Sequence, residues 1–206
     1  MTKIKICGLT RLCDIEAVNE AHPDYIGFVF ADSKRRITPQ AAFRLRERLD
    51  QKVLAVGVFV DEKIEQIVDI WSQGIIDVIQ LHGHENASYI ERLEEKTGRP
   101  VIKAVRVRFR EDVEFVEAMT CKYLLLDAYS EKNVGGTGET FDWNVIGDVK
   151  KPFFLAGGLN SNNILQAIKA VEPFGVDISS GVEIDGFKDR DEILEIVRLI
   201  RSVRAN

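Results

Sequence analysis

Short apolar runs alternate along this chain with polar, glycine-bearing turns, and each turn leads into a segment whose apolar residues recur every three or four positions. The first run, Lys3-Ile4-Lys5-Ile6-Cys7, has the two-residue period of a strand with Ile4 and Ile6 on one face, and it stops on Gly8. Thr10 is placed to cap a helix whose first turn carries Asp14 and Glu16, acids that suit the positive end of the helix dipole, and that ends near Ala21 before Pro23. The same reading predicts strands over Tyr25 to Phe30, Val53 to Phe59, Val78 to Leu81, Val101 to Val105, Tyr123 to Leu126, Phe153 to Ala156 and Val176 to Ile178. Helices are predicted after each: Thr38-Pro39 through Leu49, about Glu62 to Gln73, about Ala87 to Lys96, Glu111 to Met119, a short one after Asp142, Asn162 to Val171, and about Arg190 to Val203.

Eight strand-helix units in an uninterrupted chain predict an α/β fold, a (β/α)8 TIM barrel, somewhat shorter than the roughly 250 residues typical of that architecture. An open doubly wound sheet would also alternate, but eight regular units with the motif-bearing turns on one side fit closure better. No Pro/Ser-rich linker or charge block divides the 206 residues, so residues 1–206 are expected to form one catalytic domain. Closure would bring Cys7, Arg35, His82, Asp127, Gly157 and Ser180, which are scattered through the sequence, to a single rim.

Charge narrows the choice of partners. A net charge of -5 and a pI of about 5.4 leave no broad basic surface for nucleic acid, and an anionic small molecule would need a local positive site. No signal-peptide pattern opens the chain, and no apolar run approaches the roughly 20 residues that span a bilayer, so the protein is expected to be cytoplasmic and away from membranes. Cys7, Cys13 and Cys121 are odd in number and match no disulfide or zinc spacing. His82-Gly83-His84 is similarly weak as a metal site, since the chain holds 3 histidines and no matching ligand spacing nearby.

The last two strand ends carry the clearest binding signal. Turns after strands seven and eight of such barrels often hold phosphate on backbone N–H groups. Here they read Ala156-Gly157-Gly158-Leu159-Asn160 and Ile178-Ser179-Ser180-Gly181. Glycine lets the backbone approach an anion closely, and serine adds a hydroxyl donor, so Gly157, Gly158, Ser179, Ser180 and Gly181 are the expected phosphate ligands. Gly135-Gly136-Thr137-Gly138 neither fits a P-loop nor opens a helix, and is expected to form a mobile flap over the cavity.

Motifs in order from end to end add a resemblance. Lys5-Ile6-Cys7-Gly8-Leu9-Thr10, Gly27-Phe28-Val29-Phe30 with Ser33-Lys34-Arg35, Gln80-Leu81-His82-Gly83, Leu125-Leu126-Asp127, Phe141-Asp142-Trp143, Ala156-Gly157-Gly158-Leu159 and Asp177-Ile178-Ser179-Ser180-Gly181-Val182-Glu183 together make the chain closely resemble the phosphoribosylanthranilate isomerases. The resemblance implies an Amadori rearrangement in tryptophan biosynthesis that needs no metal or organic cofactor and acts on a phosphorylated sugar. It implies Asp127 as the general acid that protonates the ribose ring oxygen and Cys7 as the general base that takes the proton from C2. It places Arg35 where the family binds the anthranilate carboxylate, His82 in the pocket wall, and Asp177 as a group that orients a neighbour or the substrate, with capping left open for Asp177. A thiol acting as base needs its pKa lowered by positive charge or N–H donors, and a carboxyl at the end of an apolar strand is expected to be partly desolvated. Family members usually carry Pro-Gly after the position of Glu183, whereas this chain has Asp185-Gly186, which is expected to loosen that turn. A histidine-pathway isomerase using an aspartate pair would end strand one in Asp rather than Cys7, and a barrel that only binds its ligand would not need both Cys7 and Asp127. Monomer and homodimer both remain open.

Overall fold

Apolar runs that read continuously need cover on both faces, helices on one side and side chains on the other. In the computed structural model, which describes residues 1–128 and 143–202, the runs satisfy that need by closing on themselves. Strands β1 (Lys3–Cys7), β2 (Tyr25–Val29), β3 (Leu54–Phe59), β4 (Val78–Leu81), β5 (Val101–Val107), β6 (Tyr123–Ala128), β7 (Phe153–Ala156) and β8 (Gly175–Ile178) pair in parallel in chain order. Pairing of β1 with β8 completes the ring, with Lys3 beside Gly175 and Lys5 beside Asp177.

Side chains alternate across each strand, so one parity faces the axis and the other the helices. Ile4, Ile6, Ile26, Phe28, Leu124, Leu126, Leu155, Val176 and Ile178 point outward and form one large core. It is covered by α1 (Leu12–Ala21), α2 (Pro39–Arg46), α3 (Ile64–Ser72), α4 (Ala87–Thr97), α5 (Arg110–Glu117), α6 (Ile164–Val171) and α7 (Arg190–Ser202). The barrel floor is filled separately by Ile102, Leu125 and Phe154, with Tyr25 and Phe174 meeting the Phe154 ring edge to face at 5.5 and 5.4 Å. Gly175 makes room for that ring: a Cβ there would stand 2.6 Å from Phe154 Cδ1. Gly175→Ala is therefore expected to overpack the floor and cost about 1–3 kcal/mol, read as a fall of several degrees in Tm. An unchanged melting curve would show that Phe154 can move aside.

Helix starts depart from the sequence reading in an instructive way. Thr10 does not cap α1; instead the Asp14 carboxylate reaches back and accepts from the N–H groups of Thr10 and Arg11, both at 2.9 Å. An acid in the first turn can satisfy those donors as well as a preceding hydroxyl does. Thr38 does cap α2, accepting from the Ala41 N–H at 3.2 Å with Pro39 at the first helical position. That helix stops at Arg46 rather than Leu49. Among the described residues the sixth crossover supplies a single 3-10 turn, Trp143–Val145, and the Gly135-Gly136-Thr137-Gly138 segment lies outside them.

One element has no counterpart in the sequence reading. After a 3-10 turn at Ser180–Val182, β9 (Glu183–Ile184) and β10 (Phe187–Lys188) form a small antiparallel hairpin. Its turn is Asp185-Gly186, with φ of 52° and 82°. Positive φ at both central residues suits the right-handed twist of a two-residue hairpin, and Asp-Gly is a favoured pair there. Proline, locked near φ -65°, could not take the place of Asp185 in this turn. The expected loosening is thus corrected: the Asp185 variant of the motif builds a defined hairpin, which carries Glu183 and Lys188 toward the cavity mouth.

Candidate active site

The carboxyl ends of the strands surround a cavity of about 1080 Å3. Cys7, Arg35, His82, Asp127, Gly157, Gly158, Asp177, Ser179 and Ser180 all line it. Gly181 does not; a Cβ on it would collide with the Leu159 carbonyl, so its smallness serves the seam between the last two turns. Among the described residues, no group of three or more His, Cys, Asp or Glu side chains is arranged to hold a metal ion.

Cys7 ends β1 with the same inward parity as Lys5, and only 8% of it is exposed. Burial pushes its thiol above the ordinary value, opposed first by the Lys5 ammonium, while Asp177 adds to the rise and Lys188 works against it. The positive charge expected to activate this thiol therefore comes from two lysines within the site, and it does not overcome burial. Lys5 is itself fully buried and donates to Asp177 Oδ1 at 2.9 Å. Burial works against its ammonium, but Asp177 and then Cys7 outweigh that and hold its pKa up.

Asp127 faces the axis from β6, three strands from Cys7 around the ring through β8 and β7, and its side chain keeps 30% of its surface exposed. The desolvation expected at a strand end is thus only partial. His82 leaves β4 with its N–H on the Phe59 carbonyl at 2.8 Å, and its Nε2 stands 3.6 Å from Asp127 Oδ2. Its other ring nitrogen, Nδ1, is 3.3 Å from Gln80 Nε2. A buried pair beneath fixes this turn: Lys103 donates to the Gly83 carbonyl at 2.6 Å and to Glu85 Oε2 at 2.8 Å.

Arg35 is held from an unexpected side. Its Nε and Nη2 form a two-pronged pair with Glu183 at 2.6 and 2.8 Å, so that edge of the guanidinium faces a protein carboxylate. Lys188 also donates to Glu183, at 2.5 Å, and to the Ser179 carbonyl at 2.9 Å. Burial opposes the Glu183 charge, yet Arg35 and Lys188 together hold its pKa down at about 2. The Ser179 hydroxyl donates to the Cys7 carbonyl at 3.0 Å, tying the phosphate-turn candidate to the end of β1. Gly157 and Gly158, with φ of 99° and 63°, turn the chain sharply after β7 in a conformation that favours glycine.

Lys5, Gln80, Glu183 and Lys188 belong to this site and were not singled out from the sequence. Lys5 alone had an available signal, since it shares the inward parity of Cys7 within one strand. The other three lie in short elements where polar residues are ordinary.

Comparison with known proteins shows the family and the fold. A family model described as N-(5'phosphoribosyl)anthranilate (PRA) isomerase matches residues 4–199. An N-(5'-phosphoribosyl)anthranilate isomerase from Endomicrobium trichonymphae is 49% identical over 203 residues, covering 98% of this chain and 100% of that protein. The crystal structure of phosphoribosyl anthranilate isomerase from Thermotoga maritima superposes with a TM-score of 0.88 at 39% identity, covering 98% of this chain and 100% of the other. A second crystal structure, of the isomerase in complex with reduced 1-(o-carboxyphenylamino)-1-deoxyribulose 5-phosphate, has a TM-score of 0.85 at 37% identity over 98% of this chain and 100% of the other.

Proposed function

The chain belongs to the N-(5'-phosphoribosyl)anthranilate isomerase family, aldose–ketose isomerases of tryptophan biosynthesis, and from that premise we propose that Asp127 and Cys7 carry its two proton transfers. Asp127 gives a proton to the ribose ring oxygen as the C1–oxygen bond breaks and the anthranilate nitrogen lone pair forms a Schiff base at C1. Cys7, as thiolate, then takes the proton from C2; the C–H electrons become the C1=C2 bond and the nitrogen recovers its lone pair. The resulting enolamine tautomerises to the ketone. Binding energy along the rest of the substrate holds these atoms in place. The phosphate sits on the backbone of Gly157-Gly158 and Ser179-Ser180, and the free edge of Arg35 receives the anthranilate carboxylate. His82 lines the pocket beside Asp127, its Nε2 3.6 Å from the carboxylate.

The observation that supports this reading best is that a thiol from β1 and a carboxyl from β6 line one cavity, with two small-residue turns between them. Residues 1–206 act in it as one catalytic domain, working on a soluble phosphorylated metabolite in the cytoplasm. The direct test is growth: expression is expected to restore a tryptophan auxotroph lacking only this isomerisation, with the purified protein converting phosphoribosylanthranilate. Failure of both would remove the activity.

A further inference from the structure

Lysine is seldom buried completely, because its long stem normally carries the charge out to water. Lys5 is 0% exposed, deep inside the barrel. Its partner Asp177 is its neighbour across the seam between β1 and β8. A buried pair of this kind is weak support for stability, since two apolar side chains of similar size commonly do as well. Its place in the fold suggests another use. Cys7 lies two residues further along the same strand, on the same face, and Gly27 of β2 is its register partner. A Cβ on Gly27 would stand 2.6 Å from Cys7 Sγ and 3.1 Å from Lys5 Nζ. The missing side chain is the space in which the sulfur and the ammonium come together.

We propose that Lys5 is a positioning residue for Cys7, its ammonium locked by Asp177 beneath the sulfur so that Cys7 can carry the negative charge it needs to accept the substrate proton. This rests on Cys7 being the base. Lys5 keeps its protons throughout: the thiol proton goes to water as the sulfur ionises, and the C2 proton goes to the sulfur. The other charges that face Cys7 are Asp177 from β8, Lys188 from β10 and Arg35 from the turn after β2. Lys188 and Arg35 are both turned onto Glu183, which leaves Lys5 as the cation aimed at the sulfur from below.

The test is the pH dependence of iodoacetamide alkylation at Cys7, resolved by peptide mass spectrometry from Cys13 and Cys121. An opposite charge at this range moves a titration midpoint by about one to three on the pH scale, so Lys5→Met is expected to raise the alkylation inflection by about that much. Lys5→Met/Asp177→Asn, which leaves no buried charge unpaired, is expected to move it the same way by less, and it answers the question if the single variant does not fold. Steady-state kinetics give the second reading. In Lys5→Met, kcat near neutral pH is expected to fall about tenfold for every whole pH step by which the inflection rises, with recovery at alkaline pH and little change in KM. A merely structural lysine would lower kcat equally at every pH and leave the inflection in place, and an unmoved or lowered inflection overturns the proposal. Full kcat in Cys7→Ala would overturn the base assignment along with it, so the two failures are told apart.

Discussion

Cys7→Ala and Asp127→Asn are each expected to lower kcat for phosphoribosylanthranilate by about 100- to 10,000-fold, the usual contribution of a positioned acid or base. KM should move much less, because neither group is asked to supply ground-state binding. Asn keeps the shape of Asp127 beside His82, but it has no acidic proton to give. Ala at position 7 removes one sulfur from a cavity wall and leaves the Cys7 carbonyl, which Ser179 uses, in place. Both variants are therefore expected to fold, with far-ultraviolet circular dichroism like that of the parent. Steady-state kinetics on the folded variants decide the matter: parental kcat in either one takes that residue out of the chemistry. The double variant should be scarcely slower than the worse single one, since two groups that act on one reaction path do not contribute independently.

The second large effect concerns stability. Glu183 holds Arg35 at 2.6 Å and Lys188 at 2.5 Å, with the exposed Lys34 further off at 4.0 Å, and its side chain is only 6% exposed. Glu183→Gln keeps the size of the side chain but leaves Arg35 and Lys188 without this counter-charge, and breaking a buried pair from one side is costlier than never forming it. Arg35 retains some water, so the cost is set below the fully buried case, at about 2–4 kcal/mol. Denaturant unfolding near neutral pH measures it directly. The pH dependence carries its own sign. The folded pKa of Glu183, about 2, lies below its ordinary value of 4.5, so the stabilisation is fully present above about pH 5. It fades as pH falls through 4.5 toward 2, and Glu183→Gln lacks this component. The stability gap between parent and variant should therefore narrow on acidification. A gap that stays constant from neutral pH down to the acid limit of folding would show that the pair is not what stabilises the hairpin. Substrate affinity should fall in the same variant, because Arg35 loses the carboxylate that fixes its direction.

Much of the architecture could be read from local pattern. Val78–Leu81 and Phe153–Ala156 have the bounds expected of them, because a run of four residues between polar turns, all apolar in the second and apolar but for Gln80 in the first, is buried on both faces as an interior strand. Helix ends were less legible. At α1 the choice between Thr10 and Asp14 as the group satisfying the first N–H groups depends on rotamers, and both residue types are suitable there. The hairpin was missed because strands of two residues are too short to show alternation, although Asp185-Gly186 between Ile184 and Phe187 carried the turn signal.

The linear pattern was enough to establish which segments bury which face, hence eight strands, their helices and a closed parallel ring, since periodicity is a property of neighbours along the chain. It also marked Cys7, Asp127 and the two small-residue turns as the ends of strands that such a ring gathers. Charge pairing lay beyond it. Lys5 meets Asp177 across 172 positions and Arg35 meets Glu183 across 148, and nothing near either residue specifies its partner. Those contacts exist only once β1 closes on β8 and the hairpin folds back over the rim. Coulomb forces act through space rather than along the backbone, so the electrostatic setting of the Cys7 sulfur is a consequence of closure.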